Sequence, residues 1–295
     1  MFCDKVLKNI EIDGEIMITI GLTGWSDHEF LMLNPQRKLE EYASHFPFVE
    51  IDTSFYGIPS EKSVRSWIDK TPENFQFIPK VYSGMTQHSD YDLYYETIEE
   101  MFDTYKVRFY PMLAAKKIKA FLFQFPPFFQ CTADNIQYLF KITELMGPLP
   151  IAVEFRHRSW YSENNRENTL KLLEMLHFIH VIVDQPQTPS NSVPTIVKAT
   201  SKNLSLYRLH GQNYSGWLNA TEDPAWRANR TLYDYTTEDL VKIKENTLQL
   251  QRESKEVAII FNNNSGGHAA KNAKELQRML DIDFKDLNPK QLGLF

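Results

Sequence analysis

The sequence predicts an α/β fold, a single-domain (β/α)₈ TIM barrel, from two observations. Eight short apolar runs alternate with amphipathic stretches along all 295 residues, as expected for strands buried beneath helices. Several of these runs end abruptly in charged side chains, as in Ile151-Ala-Val-Glu-Phe-Arg156. An open doubly wound sheet is the alternative, but the turn Gly21-Leu-Thr-Gly24 lacks the spacing of its glycine-rich fingerprint.

The predicted strands are the apolar runs, which are four to eight residues long, as is typical of buried strands. They are Ile16–Leu22, Phe48–Asp52, Gln76–Val81, Ala120–Gln124, Ile151–Phe155, Ile179–Asp184, Leu204–His210 and Val257–Asn262.

The predicted helices follow the strands and repeat their apolar residues with helical spacing. The clearest are Gln36–His45, Ser63–Lys70, Asn135–Met146, Arg166–Leu176, Thr237–Arg252 and His268–Leu280. Thr236 and Asp239 form a capping box for the fifth of these helices. Pro186–Pro194 and Gly211–Tyr235 are expected to be long loops of the kind that carry function. We assign residues 1–285 to the barrel and 286–295 to a tail.

Composition narrows the functional class. A net charge of −6 argues against a nucleic-acid coat protein with a broad basic surface. No apolar run approaches the length needed to span a bilayer, so we expect a cytoplasmic protein without a membrane partner. Cys3 and Cys131 are far apart and lack histidines at ligand spacing, so neither a disulfide framework nor a zinc site is predicted.

Strand alternation predicts where the polar side chains point. Residues two apart share a face, so Glu154 and Arg156 lie together, opposite Val153. On the other strands the same alternation places polar side chains at the carboxyl end of the barrel, nine in all, where barrel enzymes keep their active sites. They are Glu50, Asp52, Lys80, Gln124, Glu154, Arg156, Asp184, Arg208 and His210. The alternative is that these charges only pair with one another.

The positive members of this set indicate an anionic ligand, because the planar fork of arginine matches carboxylate and phosphate oxygens. The turn Phe261-Asn-Asn-Asn-Ser-Gly-Gly-His268 leads into a helix, an arrangement that often holds phosphate in barrels. The candidate binding residues are Lys80, Gln124, Arg156, His157, Arg158, Arg208, Asn262 and Asn264. Trp25, Tyr56, Trp160 and Trp217 could stack on a planar ligand such as a nucleotide.

Glu154 and Asp184 are the predicted general acid and base, with His210 assisting proton transfer. Hydrolysis of a phosphate-bearing substrate is the favoured reaction. No cofactor is predicted, although the same three residues could hold a divalent cation. The competing hypothesis is a non-catalytic module that binds a nucleotide or a nucleic-acid end. Oligomeric state cannot be predicted from the sequence.

The carboxyl-terminal residues Gln291-Leu-Gly-Leu-Phe295 are similar to the peptide by which bacterial proteins dock on the DNA polymerase sliding clamp. Gln291 would supply hydrogen bonds, and Leu292, Leu294 and Phe295 would supply apolar anchors. The alternative is that these apolar side chains fold back onto the barrel.

The chain also resembles the domain-of-unknown-function 72 (DUF72) family, the YecE-like proteins. Six segments carry the resemblance in the family's order. They are Gly21-Leu-Thr-Gly-Trp25, Phe48-Val-Glu-Ile-Asp-Thr-Ser-Phe-Tyr56, Phe121-Leu-Phe-Gln-Phe-Pro-Pro127, Val153-Glu-Phe-Arg-His-Arg-Ser-Trp160, Leu209-His-Gly211 and Phe261-Asn-Asn-Asn264, with Asn272-Ala following. The resemblance implies a TIM barrel and no established reaction. Asp52 stands where the family usually has asparagine, and Gly57-Ile-Pro59 stands where an arginine is common.

Overall fold

A computed structural model describes residues 17–189, 192–218 and 225–289. These residues contain eight parallel strands, close to the bounds predicted from the sequence. They are β1 (Met17–Thr23), β2 (Phe48–Ile51), β3 (Gln76–Pro79), β4 (Phe121–Gln124), β5 (Ile151–Glu154), β6 (Ile179–Asp184), β7 (Leu204–Leu209) and β8 (Glu256–Phe261).

The strands form a ring in the order β3-β2-β1-β8-β7-β6-β5-β4. Two bridges, Phe77 with Ile118 and Lys80 with Leu122, join β3 to the β4 segment and close the barrel. We call this short junction the seam. Because β1 pairs with β8 along six residue positions, the two halves of the chain complete one ring. The predicted TIM barrel is therefore confirmed.

The helices of the described residues are α1 (Lys38–Tyr42), α2 (Glu61–Asp69), α3 (Ile98–Ala114), α4 (Ala133–Met146), α5 (Arg166–Met175), α6 (Tyr214–Leu218), α7 (Trp226–Arg230), α8 (Thr237–Leu250) and α9 (His268–Met279). They pack outside the ring, apart from the short helices α6 and α7, which lie at its carboxyl end. The capping box of Thr236 and Asp239 begins α8 as predicted. The sequence patterns missed α3, which carries Pro111 in its last turn, and they missed the short helices α6 and α7.

The barrel interior changes from apolar to charged toward the carboxyl ends of the strands. Gly21 leaves room for the ring of Phe48, because a Cβ at position 21 would lie 2.7 Å from a Phe48 ring carbon. Glu50 lies two residues farther along β2 and therefore points into the barrel above this apolar layer. We call the carboxyl end of the barrel, where such charged side chains meet, the mouth.

The last described residues lie at the opposite, amino-terminal end. The Asn288 backbone N–H donates to the Ala43 carbonyl at 3.0 Å, and its side chain donates to the Lys70 carbonyl at 3.1 Å. Ala43 and Lys70 precede strands β2 and β3, which fixes this position. Residues Gln291, Leu292, Leu294 and Phe295, predicted to dock a partner, lie outside the described residues. Within the described residues, no helix combines the length and apolarity needed to cross a membrane.

Candidate functional site

Glu154, at the end of β5, occupies the centre of the mouth and is fully buried. Its Oε1 lies 2.6 Å from Arg156 Nε, and its Oε2 accepts a hydrogen bond from Arg208 Nη1. Burial alone would raise the pKa of this carboxyl, but the charges of Arg156 and Arg208 outweigh burial and hold the pKa well below its usual range. Glu154 is therefore a carboxylate at neutral pH.

Arg208, on β7, joins two carboxylates across the barrel. Its Nε and Nη2 donate to the two oxygens of Glu50 at 2.8 and 2.7 Å, while Nη1 reaches Glu154. Gln124, at the end of β4, accepts from both Arg208 and Arg156 at 3.3 Å. The side chains of β2, β4, β5 and β7 thus meet in one buried network, as strand alternation predicted.

His210 lies beside this network with both ring nitrogens engaged. Nε2 is 3.2 Å from Glu154 Oε1, and Nδ1 is 2.8 Å from Asn262 Nδ2. Nε2 also lies 3.5 Å from Arg156 Nη2 and 3.4 Å from Arg208 Nη1, two groups that can only donate. Burial lowers the pKa of His210 well below its ordinary value, with help from the charges of Arg156 and Arg208. The ring is therefore neutral at pH 7.

A second cluster lies at the β2–β3 side of the mouth. Lys80 Nζ donates to Asp52 Oδ1 at 3.0 Å and lies 4.2 Å from the centroid of the Phe55 ring. His88 packs edge-on against the same ring, with centroids 4.9 Å apart. Burial, together with the charges of Lys80 and Arg156, lowers the pKa of His88 to about 4.

Helices α6 and α7 cover the mouth. The Trp217 ring on α6 is buried, with its centroid 5.2 Å from the Arg156 guanidinium carbon. Arg230, at the end of α7, lies against Trp217 and Trp226 at 4.8 and 5.2 Å. Burial, together with the charge of Arg156, lowers the pKa of Arg230 to about 9. Arg156, Arg208 and His210 are at most 3% exposed beneath this cover.

Asp184 does not join Glu154, contrary to the prediction. Strand pairing aligns Arg208 with Val183, not with Asp184, so Asp184 points outward toward the helices. There it accepts hydrogen bonds from Gln212 Nε2 and the Tyr235 hydroxyl, both at 2.7 Å. Burial raises its pKa. The proposed acid–base pair of Glu154 and Asp184 is therefore not assembled on one face of the barrel.

Trp160 also lies elsewhere than predicted. It is fully buried in the layer between strands and helices, where it stacks on Phe155 at 4.0 Å and donates to the Phe129 carbonyl at 2.8 Å. His157 Nδ1 accepts from the Ser159 backbone N–H at 3.1 Å and caps a short helical turn. Trp160 therefore belongs to the core and His157 to a local cap.

The remaining predicted aromatic and basic residues lie around, rather than in, the network. Trp25 packs edge-on against Trp67 of α2, with ring centroids 5.5 Å apart. Tyr56 is 59% exposed beside Phe55, and Arg158 is exposed. Of the four predicted aromatic residues, Trp217 is the one in direct contact with the buried arginines.

The three asparagines after β8 form hydrogen bonds with other parts of the protein and do not lie in an open loop. Asn262 bonds to His210, and Asn264 Nδ2 donates to the Thr23 carbonyl at 2.7 Å. Asn263, fully buried, donates to the Tyr233 carbonyl and to Asn272 at 2.8 Å. Asn262 is thus part of the mouth, whereas Asn264 fixes the neighbouring loop to β1.

Comparison with known proteins identifies the family. The family model described as "Protein of unknown function DUF72" matches residues 19–293. The chain belongs to the DUF72 family. It is similar to the UPF0759 protein YunF of Bacillus subtilis (strain 168), at 44% identity over 95% of this chain and 100% of YunF. The UPF0759 protein YecE of Escherichia coli (strain K12) is 28% identical over 52% of this chain and 54% of YecE.

Solved DUF72 structures share the fold. A DUF72 protein from Enterococcus faecalis V583 superposes with a TM-score of 0.89 at 45% identity, covering 94% of this chain and 100% of that chain. One from Thermotoga maritima MSB8 gives a TM-score of 0.76 at 29% identity, covering 90% of this chain and 100% of that chain. The resemblance expected from the sequence motifs is confirmed.

Two residues of this DUF72 protein reach the mouth from positions that strand alternation does not address. His88 lies in the loop after β3, and Arg230 ends a short helix within the loop after β7. Both loops begin at the carboxyl ends of strands, and this position in the sequence is the signal from which the two residues could have been predicted. The metal site imagined from Glu154, Asp184 and His210 is not assembled, and no other group of three such ligands was found among the described residues.

Proposed function

We propose that this DUF72 protein binds an anionic, phosphate-bearing molecule at the mouth of its barrel. The observation that carries the proposal is the balance of charge beneath α6 and α7. The described side chains there provide the cations Lys80, Arg156, Arg208 and Arg230 and the carboxylates Glu50, Asp52 and Glu154. With His210 neutral, the cations exceed the carboxylates by one.

Arg230 supplies this excess. Among the described residues no carboxylate forms an ion pair with it, and its guanidinium lies against two indole rings. Arg230 is partly buried, so its charge is only partly hydrated, and a bound anion offsets the cost of this desolvation. Arginine also suits phosphate oxygens through its fork of donors.

We propose hydrolysis as the reaction on this ligand, with roles revised from the sequence-based expectation. Glu154 faces guanidiniums with both oxygens, so its role is to position Arg156 and Arg208. His88 and Asp52 lie nearer the rim, and His88 is neutral at pH 7 because its pKa is lowered to about 4. They are the proposed acid–base groups.

Anion binding is tested by titration calorimetry with inorganic phosphate and phosphorylated metabolites at low salt. Arg230→Gln should weaken phosphate binding about ten- to a hundredfold, the range for a hydrogen bond to a charged group. Arg65→Gln, which removes an exposed arginine paired with Glu61 on α2, is the matched control. Equal affinity of the two variants, or no binding by the wild type, would refute the proposal.

A non-catalytic binding module is the second candidate. It is favoured by the burial of Glu154 and His210, which are at most 1% exposed and face other side chains of the network. Phosphate release from the ligands that bind separates the two functions. Release that is lost in His88→Gln supports hydrolysis, whereas binding without release supports the module.

We further propose that the tail recruits the protein to the DNA polymerase sliding clamp. The Gln-Leu-Gly-Leu-Phe sequence carries this proposal, and Asn288 anchors the preceding segment at the end of the barrel opposite the mouth. Immobilised clamp should retain the intact protein and release a form lacking residues 291–295. Equal retention of both forms would rule the interaction out.

A further inference from the structure

The surroundings of Lys80 differ from those of a lysine that only neutralises a carboxylate. It extends from the end of β3 into the mouth, where its side chain is 10% exposed and that of its partner Asp52 is 34% exposed. The Phe55 ring covers its ammonium group at 4.2 Å. Burial lowers the pKa of Lys80, and the charge of Arg208 adds to this effect against the opposing attraction of Asp52.

The same barrel contains a lysine for comparison. Lys119 also lies inside, pairs with Glu256 and approaches the ring of Phe48 at 5.2 Å. It precedes β4 and therefore occupies the amino-terminal end, whereas Lys80 follows β3 and faces the mouth. Active sites of barrel enzymes lie at the carboxyl end of the strands, so only Lys80 of these two is in reach of a ligand bound by the arginines.

His88 completes the cluster. Its ring shares the Phe55 face with Lys80, and its low pKa, caused first by burial and then by Lys80 and Arg156, keeps it neutral at pH 7. Lys80 therefore has a carboxylate at 3.0 Å and a neutral imidazole nearby. An amine desolvated beside an aromatic ring and next to other cations is the arrangement that activates lysine as a nucleophile.

We infer that Lys80 forms an imine with an aldehyde or ketone that carries an anionic group. This inference rests on the proposed anion binding and is independent of hydrolysis. Arg230 would hold the anion beside Trp217 and Arg156, and the carbonyl carbon would face Lys80 Nζ.

The step balances without an added oxidant or reductant. The Lys80 ammonium passes one proton to Asp52, and the freed amine attacks the carbonyl carbon while the C–O π electrons move to oxygen. That oxygen takes the proton from Asp52 to give a carbinolamine. A second proton transfer, from nitrogen to the hydroxyl through Asp52 or His88, releases water and leaves the protonated imine.

Borohydride reduction followed by peptide mass mapping tests the inference. The full-length protein is incubated with dihydroxyacetone phosphate, with pyruvate or with acetone, and then reduced. We expect a stable secondary amine at Lys80 with the two anionic probes and little or none with acetone. Lys80→Arg should abolish the adduct, Lys119→Arg should retain it, and Asp52→Asn should slow its formation on the order of a hundredfold.

Inorganic-phosphate binding, measured on the same preparations, separates the two proposals. Phosphate binding without an adduct at Lys80, or an adduct that persists in Lys80→Arg, would overturn imine formation and leave the anion site standing. Absence of phosphate binding would overturn the anion site itself. If Lys119→Arg does not fold, the map of the wild-type protein decides, because labelling of Lys119 equal to that of Lys80 would show general lysine reactivity.

Discussion

At the scale of single residues, Glu154 shows how a buried carboxylate is tied to its surroundings. Arg156, Arg208 and His210 all face it in a space that water does not reach. Removing the charge leaves the guanidinium of Arg156 without the carboxylate that neutralises it. Such a residue is expected to contribute strongly to stability whatever its part in the reaction.

We predict that Glu154→Gln lowers the free energy of unfolding by about 3–5 kcal/mol, the usual cost of breaking a buried ion pair. Glu61→Gln, which breaks an exposed pair with Arg65 on α2, should cost less than about 1 kcal/mol. Urea denaturation monitored by circular dichroism measures both. Similar midpoints for the two variants would contradict the buried network.

The positions of site residues could be predicted from the sequence where the alternation of a single strand determines the side-chain direction. Elsewhere they could not. Alternation along β2, β5 and β7 correctly placed Glu50, Glu154 and Arg208 together, because side-chain direction has a period of two. Asp184 was misplaced because its face depends on the register between β6 and β7, which the sequence of one strand does not contain. Arg230 was missed because its position follows from packing against Trp217.

At the scale of elements, Asp184 connects the two ends of the segment that covers the mouth. Gln212 precedes α6 and Tyr235 follows α7, and both donate to the same carboxylate. The Tyr235 hydroxyl also accepts from the Gly211 backbone N–H at 2.8 Å. One outward-facing side chain thus fixes α6 and α7 over the arginines.

We predict that Asp184→Asn loosens this cover while the barrel stays folded, because one of the two donors loses its acceptor. The free energy of unfolding should fall by about 1–3 kcal/mol. Relative to the wild type, amide exchange should become faster in 214–218 and 226–230 and stay unchanged in the strands. Asn246→Ala, which removes a bond to the Tyr207 hydroxyl in the cavity that Asp184 also lines, is the control. Unchanged exchange in α6 and α7 would argue against this role.

Helices were predicted less completely than strands. Long amphipathic segments with clear caps, such as α8, are visible in the sequence. Helix α3 carries apolar and aromatic residues on several sides as well as Pro111, which weakens the periodic signal. Helices α6 and α7 have five residues each, too few for a period of 3.6 to be recognised.

At the scale of the whole molecule, histidines whose pKa values are lowered by burial couple the fold to pH. Burial lowers the pKa of His88 and of His180 to about 4 and that of His210 well below 6.5. His180 lies outside the barrel ring, held by the Tyr161 hydroxyl and the Lys198 carbonyl at 2.9 Å. In the unfolded chain these side chains take up protons near pH 6.5.

We predict that the free energy of unfolding decreases as pH falls from about 6.5 to about 4. The unfolded state binds more protons in this window, so its free energy is lowered relative to the folded state. Urea midpoints across the window measure the slope, and His180→Gln should make it shallower. An equal slope in the wild type and in His180→Gln would contradict the neutral state of His180.

The architecture was the most predictable level. Alternating apolar and amphipathic segments specify a ring of parallel strands with helices outside, and family motifs spread along the chain agree with it. What the patterns cannot provide is the way the ring closes, since β1 and β8 must find each other across almost the whole chain.

The seam between β3 and β4 has a consequence for how the chain could be rearranged. Apart from the two bridges, the strand ring contains seven continuous neighbour pairs, and all of them survive a cut at this place. Met17 bonds to Lys255 and Asn288 to Ala43 at the amino-terminal end of the barrel, so both ends of the described chain lie on the side away from the mouth. A circular permutant that starts before β4 and joins these ends through a linker should therefore keep its ring of strands.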